Sequence, residues 1–208
     1  MKKVAISVHA IDNFSINLLK DLVGIDYIHV DVMDGKFVEN KCLNLEIFKI
    51  IKNHFDLPII AHLMVQEPSN YLDEIIDNID YFLFHFEIKE NKRDLIKKVR
   101  AKSKKVGVVL NPKTDISEII SILNDIDLVL ILGVQPGWSG QSFIPKILNK
   151  INQLAKYKEK YNFLLDIDGG VTIQNAVNMK NADILTSSSA ILNAKDPNHV
   201  IKLLKNIG

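Results

Sequence analysis

A single cysteine, Cys42, is present in the 208-residue chain. One thiol excludes an internal disulfide and any thiolate metal cluster, and with no recognisable base beside it Cys42 reads as inert. No run approaches the roughly 20 apolar residues that a membrane span needs. Lys2-Lys3 leads straight into the strand-like Val4–Val8, so the N-terminus lacks the apolar segment of a secretory signal and the cytoplasm is the expected compartment. Charge of one sign is not in excess either. The formal net charge is +1, and even the basic stretch Lys92–Lys105 has the spacing of a solvated helix face. That balance gives no basic patch for nucleic acid and no attraction to an anionic membrane. The phosphate-cradling loops G-x-G-x-x-G and G-x-x-x-x-G-K-S/T are also missing. No repeat or low-complexity tract stands out beyond Ser187–Ser189.

What is present is an ordinary globular composition, 47% hydrophobic and 25% charged, with length enough for a single domain over residues 1–208. Apolar alternation places strands at Val4–Val8, Tyr27–Val32, Pro58–Met64, Tyr81–Phe86, Val106–Leu110, Leu128–Val134, Phe163–Asp168 and Asp183–Thr186. Helical spacing fills the intervals: a segment ending near Val23, then Leu43–Asn53, Tyr71–Asn78, Lys92–Ser103, Ile116–Leu123, Phe143 to about Tyr157, Ile173–Met179 and Val200–Asn206. Eight such units make either a closed (β/α)8 TIM barrel or an open doubly wound sheet. An open sheet gathers its site at one switch point, whereas here polar residues end several strands, which favours the closed barrel.

Those polar residues carry the chemistry. In YIHVDVMDG (Tyr27–Gly35), His29 and Asp31 point to one face of a strand. PIIAHLM (Pro58–Met64) leads to His62, and FLLDIDGG (Phe163–Gly170) to Asp168. A histidine near a strand end is by itself often structural, and Asp-Gly is usually a turn. Together, two imidazoles and two carboxylates suit Zn²⁺, Mn²⁺, Co²⁺ or Fe²⁺ better than Mg²⁺; an internal salt-bridged network is the bland alternative. Gly137, Gly140, Gly169 and Gly170 follow the later strands, where barrels bind phosphate through backbone N–H groups. His85 ends its strand, holding a loop or lining the site, while His54 and His199 read as surface residues.

Six stretches, HVDVMDGKFVEN (His29–Asn40), AHLMVQEP (Ala61–Pro68), HFE (His85–Glu87), VGVVLNPKT (Val106–Thr114), VQPGWSGQSFIPK (Val134–Lys146) and DIDGG (Asp166–Gly170), resemble the ribulose-phosphate 3-epimerase family in order and placement. The resemblance runs over essentially the whole chain. It implies a metal-dependent barrel of the ribulose-phosphate-binding type that inverts C3 of a ketose phosphate, here D-ribulose 5-phosphate to D-xylulose 5-phosphate. Carried over, His29, Asp31, His62 and Asp168 hold one divalent ion, and Asp31 and Asp168 are the two proton-transfer groups. Ser7, His9, Met33, Met64 and Leu132 fall at pocket positions, and Gly137, Trp138, Ser139, Gly140, Gly169, Gly170, Ser188 and Ser189 at the phosphate end. The partner it implies is a phosphorylated ketose, and an assembly of identical chains is expected.

Several positions depart from the family pattern. Ser188-Ser189 replaces the usual Gly-Ser; His9 stands for leucine or methionine; Leu132, Gly133 and Gln135 differ along the sixth strand; Trp138 and Ser139 replace other residues of the loop. None is a metal ligand, so they bear on substrate identity more than on reaction class. A hexulose phosphate such as D-allulose 6-phosphate is the alternative substrate, and the long link Lys156–Asn162 is compatible with it. Decarboxylation or aldol chemistry on this scaffold uses Asp-x-Lys, but position 33 is methionine. Loss of either aspartate would favour a non-catalytic sugar-phosphate binder, but both are present.

Overall fold

The computed structural model describes residues 1–138 and 140–207. Among the described residues nine strands occur in chain order: β1 (Lys3–His9), β2 (Tyr27–Asp34), β3 (Lys41–Cys42), β4 (Ile59–Met64), β5 (Tyr81–His85), β6 (Lys105–Leu110), β7 (Leu128–Leu132), β8 (Leu164–Asp168) and β9 (Ile184–Ser187). Eight of them run parallel in the order β1-β9-β8-β7-β6-β5-β4-β2, and a further parallel pairing of β2 with β1 closes the barrel. The expected TIM barrel is the observed fold. The two-residue β3 adds an antiparallel pairing to the end of β2, Met33 opposite Cys42, and the loop between them is tied to Gly137 O by the Asn40 side chain at 3.0 Å.

The alternation of each strand divides the apolar residues in two. Outward side chains such as Val4, Ile6, Val30 and Val32 pack under the helical layer. There they meet Ile47, Phe48 and Ile51 of α2 (Glu46–His54), Ile151 and Leu154 of α5 (Ile147–Tyr157), and Ile201 and Leu204 of α8 (Pro197–Lys205). Inward side chains Ala5, Ile60, Leu83, Val109, Leu130 and Ile184 fill the barrel itself. The interior is therefore dry and packed except at its C-terminal end, where the polar residues collect.

A repeat that the sequence reading passed over holds the opposite rim. Asp26, Asp80, Asp127 and Asp183 each stand just before or at the start of a strand, after Ile25, Ile79, Ile126 and Ala182. Their carboxylates accept the backbone N–H of Val4, Ile59, Val106 and Leu165 at 2.9, 2.8, 2.8 and 2.7 Å. The backbone N–H of each aspartate donates back to the carbonyl of that same residue. Four two-way staples thus tie neighbouring strands together in pairs, β1 with β2, β4 with β5, β6 with β7 and β8 with β9.

The helical layer departs from expectation in its details. Residues Ile116–Asp125 form a 3₁₀ helix, not an α-helix, because Ile116, Ile119 and Ile122 recur every third residue and all three are buried. The segment expected at Tyr71–Asn78 is 3₁₀ at both ends, with only α3 (Leu72–Ile75) between. The first helix shortens to α1 (Asn17–Lys20), and α5 begins at Ile147, after Pro145, not at Phe143. Phe143 and Ile144 instead turn back towards β7, where the Ile144 N–H donates to Gly133 O at 2.8 Å. The remaining helices are α4 (Lys92–Ala101), α6 (Ile173–Ala176) and α7 (Ser189–Leu192), the last unanticipated. No helix among the described residues is long and apolar enough to cross a membrane.

Candidate active site and metal centre

Strand register brings the polar residues together. Asp31 on β2 lies opposite His9 on β1 and His62 on β4, while Asp168 ends β8 opposite Leu132 on β7. His29 Nε2 and His62 Nδ1 approach the same Asp31 oxygen, Oδ1, at 3.1 and 2.7 Å, and lie 3.2 Å from each other. Asp168 Oδ2 is 3.7 Å from His29 Nε2. One ligand atom from each of the four residues falls within 4.8 Å of all the others, a set that could hold a metal ion. All four predicted ligands are thus brought together.

Asp31 divides its two oxygens. Oδ1 faces the histidines, and Oδ2 accepts from the Ser7 hydroxyl at 2.9 Å, with His9 Nε2 at 3.8 Å. Burial opposes ionisation of Asp31, but His29 and His62 outweigh it and hold the carboxyl well below the usual range. Burial likewise works against the charge on His29, yet the carboxylates of Asp31, Asp168 and Asp166 push its pKa up to about 9. His62 goes the other way, lowered to about 4 chiefly by burial. Asp168 is raised to about 7, first by burial and then by repulsion from Asp31 and Asp166 despite the opposing pull of His29. Two carboxyl groups of one kind are therefore pushed apart, the arrangement that separates an acid from a base.

Asp31, His62 and Asp168 face a cavity of about 400 Å³ at the barrel mouth. Ser7, His9, Met33, Met64 and Leu132 all line it, as expected, and so do Gly137, Trp138, Gly140, Gly169, Gly170, Ser188 and Ser189. Ser139 lies outside the described residues. His29 does not reach the cavity but is fully buried behind it. The glycine loops owe their approach to missing side chains. A Cβ on Gly133 would lie 2.3 Å from Gly169 O, and Gly170, at φ +69°, would bring a Cβ to 3.0 Å from the Phe143 backbone.

Asp166 and Glu87 were not singled out by the sequence motifs, and His85, expected to hold a loop or line the site, lies behind His62. Asp166 faces inward beneath Asp168, as its two-residue spacing along the strand allowed one to foresee. It accepts from Thr186 Oγ1 at 2.9 and 3.0 Å, and burial raises its pKa to about 6 against the pull of His29. His85 is fully buried, with Nε2 2.9 Å from His62 Nε2. Glu87, in turn, approaches His85.

Comparison with known proteins adds to this geometry. The model of the ribulose-phosphate 3 epimerase family matches residues 3–192. A Bacillus subtilis protein named ribulose-phosphate 3-epimerase is 35% identical over 99% of this chain and 99% of its own. One of the same name from Schizosaccharomyces pombe is 34% identical over 88% of this chain and 82% of its own. Among solved structures, 3-hexulose-6-phosphate synthase from Salmonella typhimurium superposes with a TM-score of 0.71 at 13% identity, covering 99% of this chain and 97% of that one. That last likeness shows the barrel alone. With barrel, site and sequence in agreement, this chain belongs to the ribulose-phosphate 3-epimerase family of isomerases.

Proposed function

We propose that this chain inverts C3 of D-ribulose 5-phosphate to give D-xylulose 5-phosphate, with Asp31 and Asp168 as the two proton-transfer groups. The observation that carries the reading is the convergence of these carboxylates, from β2 and β8, on one cavity beside two buried imidazoles. The donor set fits a divalent ion: two ring nitrogens and a carboxylate oxygen within 3.2 Å of one another, with Asp168 adjacent. His29, Asp31, His62 and Asp168 would hold it, and nitrogen with carboxylate oxygen suits Zn²⁺, Fe²⁺, Mn²⁺ or Co²⁺. When bound, such an ion supplies Lewis-acid stabilisation of negative charge developing on the ketose oxygens.

The chain's own residues do the rest. The C3 proton is α to the C2 carbonyl, so one aspartate removes it and the substrate becomes an enediolate. The other aspartate delivers a proton to the opposite face, and the configuration inverts. The depressed pKa of Asp31 and a pKa near 7 for Asp168 leave one group ionised and the other poised near neutrality. The Ser7 hydroxyl holds Asp31 Oδ2 in place, while Met33, Met64 and Leu132 wall the cavity with apolar surface. At the other end Gly169, Gly170, Ser188 and Ser189, with Gly137, Trp138 and Gly140, offer backbone N–H and hydroxyl groups to the phosphate. Residues 1–208 would act as one catalytic barrel on a sugar phosphate of the cytoplasm.

The test is epimerisation by metal-loaded protein of D-ribulose 5-phosphate and D-allulose 6-phosphate side by side. The pentulose should be preferred in kcat/KM by more than about tenfold. A reversed preference would move the reading to hexulose phosphates. Turnover of neither, with metal bound, would remove it.

A further inference from the structure

Behind the ligand His62 lie two side chains, His85 and Glu87, that no step above uses. His62 turns Nδ1 towards Asp31 and its other nitrogen, Nε2, towards His85 Nε2 at 2.9 Å. The two ring centroids are 5.1 Å apart with 23° between the planes. The centroid distance exceeds the N···N distance by about two ring radii, so the rings meet edge to edge and nearly coplanar, nitrogen to nitrogen. Both rings are fully buried, and Phe37 packs on His85 at 4.6 Å. One of the two facing nitrogens must carry the proton and the other must accept it.

The next link decides which. His85 Nδ1 and Glu87 Oε2 are both buried, have no other hydrogen-bond partner among the described residues, and face each other at 3.4 Å. That distance is long for a hydrogen bond, yet two buried polar atoms left facing one another are each other's remedy. The other carboxylate oxygen, Oε1, accepts the Asn111 N–H at 2.9 Å and the Thr114 hydroxyl. The loop that supplies those donors is itself pinned: Lys150 Nζ of α5 donates to the carbonyls of Asn111, Pro112 and Thr114. Glu87 is thus held with one oxygen occupied and the other directed at His85.

We propose that Glu87 and His85 are positioning residues for the metal centre, fixing His62 in the tautomer whose Nδ1 lone pair is free to ligate. The carboxylate accepts from His85 Nδ1–H, which leaves His85 Nε2 as an acceptor. That nitrogen takes the His62 Nε2–H, and His62 Nδ1 is left unprotonated towards the site. Outer-shell partners of this kind orient metal-binding histidines and raise their basicity. The inference rests on the metal reading of His29, Asp31, His62 and Asp168.

Glu87→Gln tests it with little change of shape. Because Oε1 is already held by two donors, the new amide NH₂ takes the place of Oε2. It then presents a donor to His85 Nδ1 and reverses the polarity of the line. Zn²⁺ and Co²⁺ affinity, measured by competition with a chromophoric chelator, should fall about 10- to 100-fold. His85→Gln supplies an acceptor oxygen to His62 whatever residue 87 carries, so in that background Glu87→Gln should no longer weaken binding. A ¹⁵N spectrum of the zinc-loaded wild type should show His85 protonated on Nδ1 and His62 on Nε2, a readout that needs no variant to fold. Wild-type affinity in Glu87→Gln, a loss that persists in the His85→Gln background, or a His85 protonated on Nε2 would each overturn the proposal. Failure of the wild type itself to bind Zn²⁺ or Co²⁺ would instead overturn the metal reading beneath it.

Discussion

At the scale of the residue, the site works by giving identical side chains different surroundings. Asp31 lies between two imidazoles and a serine hydroxyl, which favour its charge despite burial. Asp168, half-buried at the cavity wall, has Asp31 and Asp166 as neighbours, and burial together with these carboxylates opposes its charge. Replacing Asp168 by asparagine keeps the shape and an oxygen donor but removes the group proposed to move a proton. Turnover should drop by about 10²- to 10⁴-fold, the range of a lost general acid or base. The deficit should be lopsided: Asp168→Asn should still exchange the C3 proton of one epimer with solvent deuterium while failing to make the other, and Asp31→Asn should show the mirror pattern. Near-normal epimerisation by Asp168→Asn at unchanged metal content would leave inversion to a single shuttling base or a water.

At the scale of the element, much of the plan was legible because strands obey a period of two. His29 and Asp31 share a parity within one short apolar run, so they had to share a face, and both carboxylates and His62 were placed from pattern alone. The same parity made Asp166 readable in principle. The His85–Glu87 line was not, since it depends on the loop after β5 meeting Asn111–Thr114 after β6, a contact between segments far apart in sequence. Helix type was also hidden: a buried period of three separates 3₁₀ from α only when packing picks out which isoleucines are inside. The rim staples were hidden for another reason, because an aspartate before an apolar run looks like ordinary punctuation. They should nonetheless carry stability. Asp127→Ala leaves the Val106 N–H without its acceptor and should cost about 1–3 kcal/mol by chemical denaturation. Asp127→Asn keeps an acceptor oxygen and should lose less. An alanine variant as stable as wild type would show that water substitutes for the staple.

At the scale of the whole molecule, the charges gathered at one end of the barrel link folding, protons and metal. His29 has its pKa raised from 6.5 to about 9, so its contribution to stability is complete below about 6.5 and is lost as pH rises through about 9. Asp168, raised from 3.8 to about 7, has the same sign: its contribution is complete below 3.8 and lost as pH rises through about 7. Asp31, lowered, loses its contribution only as pH falls through its depressed value. His62, lowered from 6.5 to about 4, weakens the fold as pH falls across that interval. Between about pH 6.5 and 9 His29 dominates, joined by Asp168 only up to about 7, so the metal-free protein should become less stable as pH rises. A divalent ion needs the same groups deprotonated, so its binding displaces their protons and tightens over that window. Because a ligand stabilises by its concentration relative to its Kd, that tightening alone sets the stability difference between the two forms. The Tm difference between metal-loaded and metal-free protein should therefore widen steadily from about pH 6.5 to about 9, and calorimetry in buffers of different ionisation enthalpy should show proton release on binding. A Tm difference that stays flat or narrows over that range, with metal still bound, would mean that His29 and Asp168 do not hold the displaced protons.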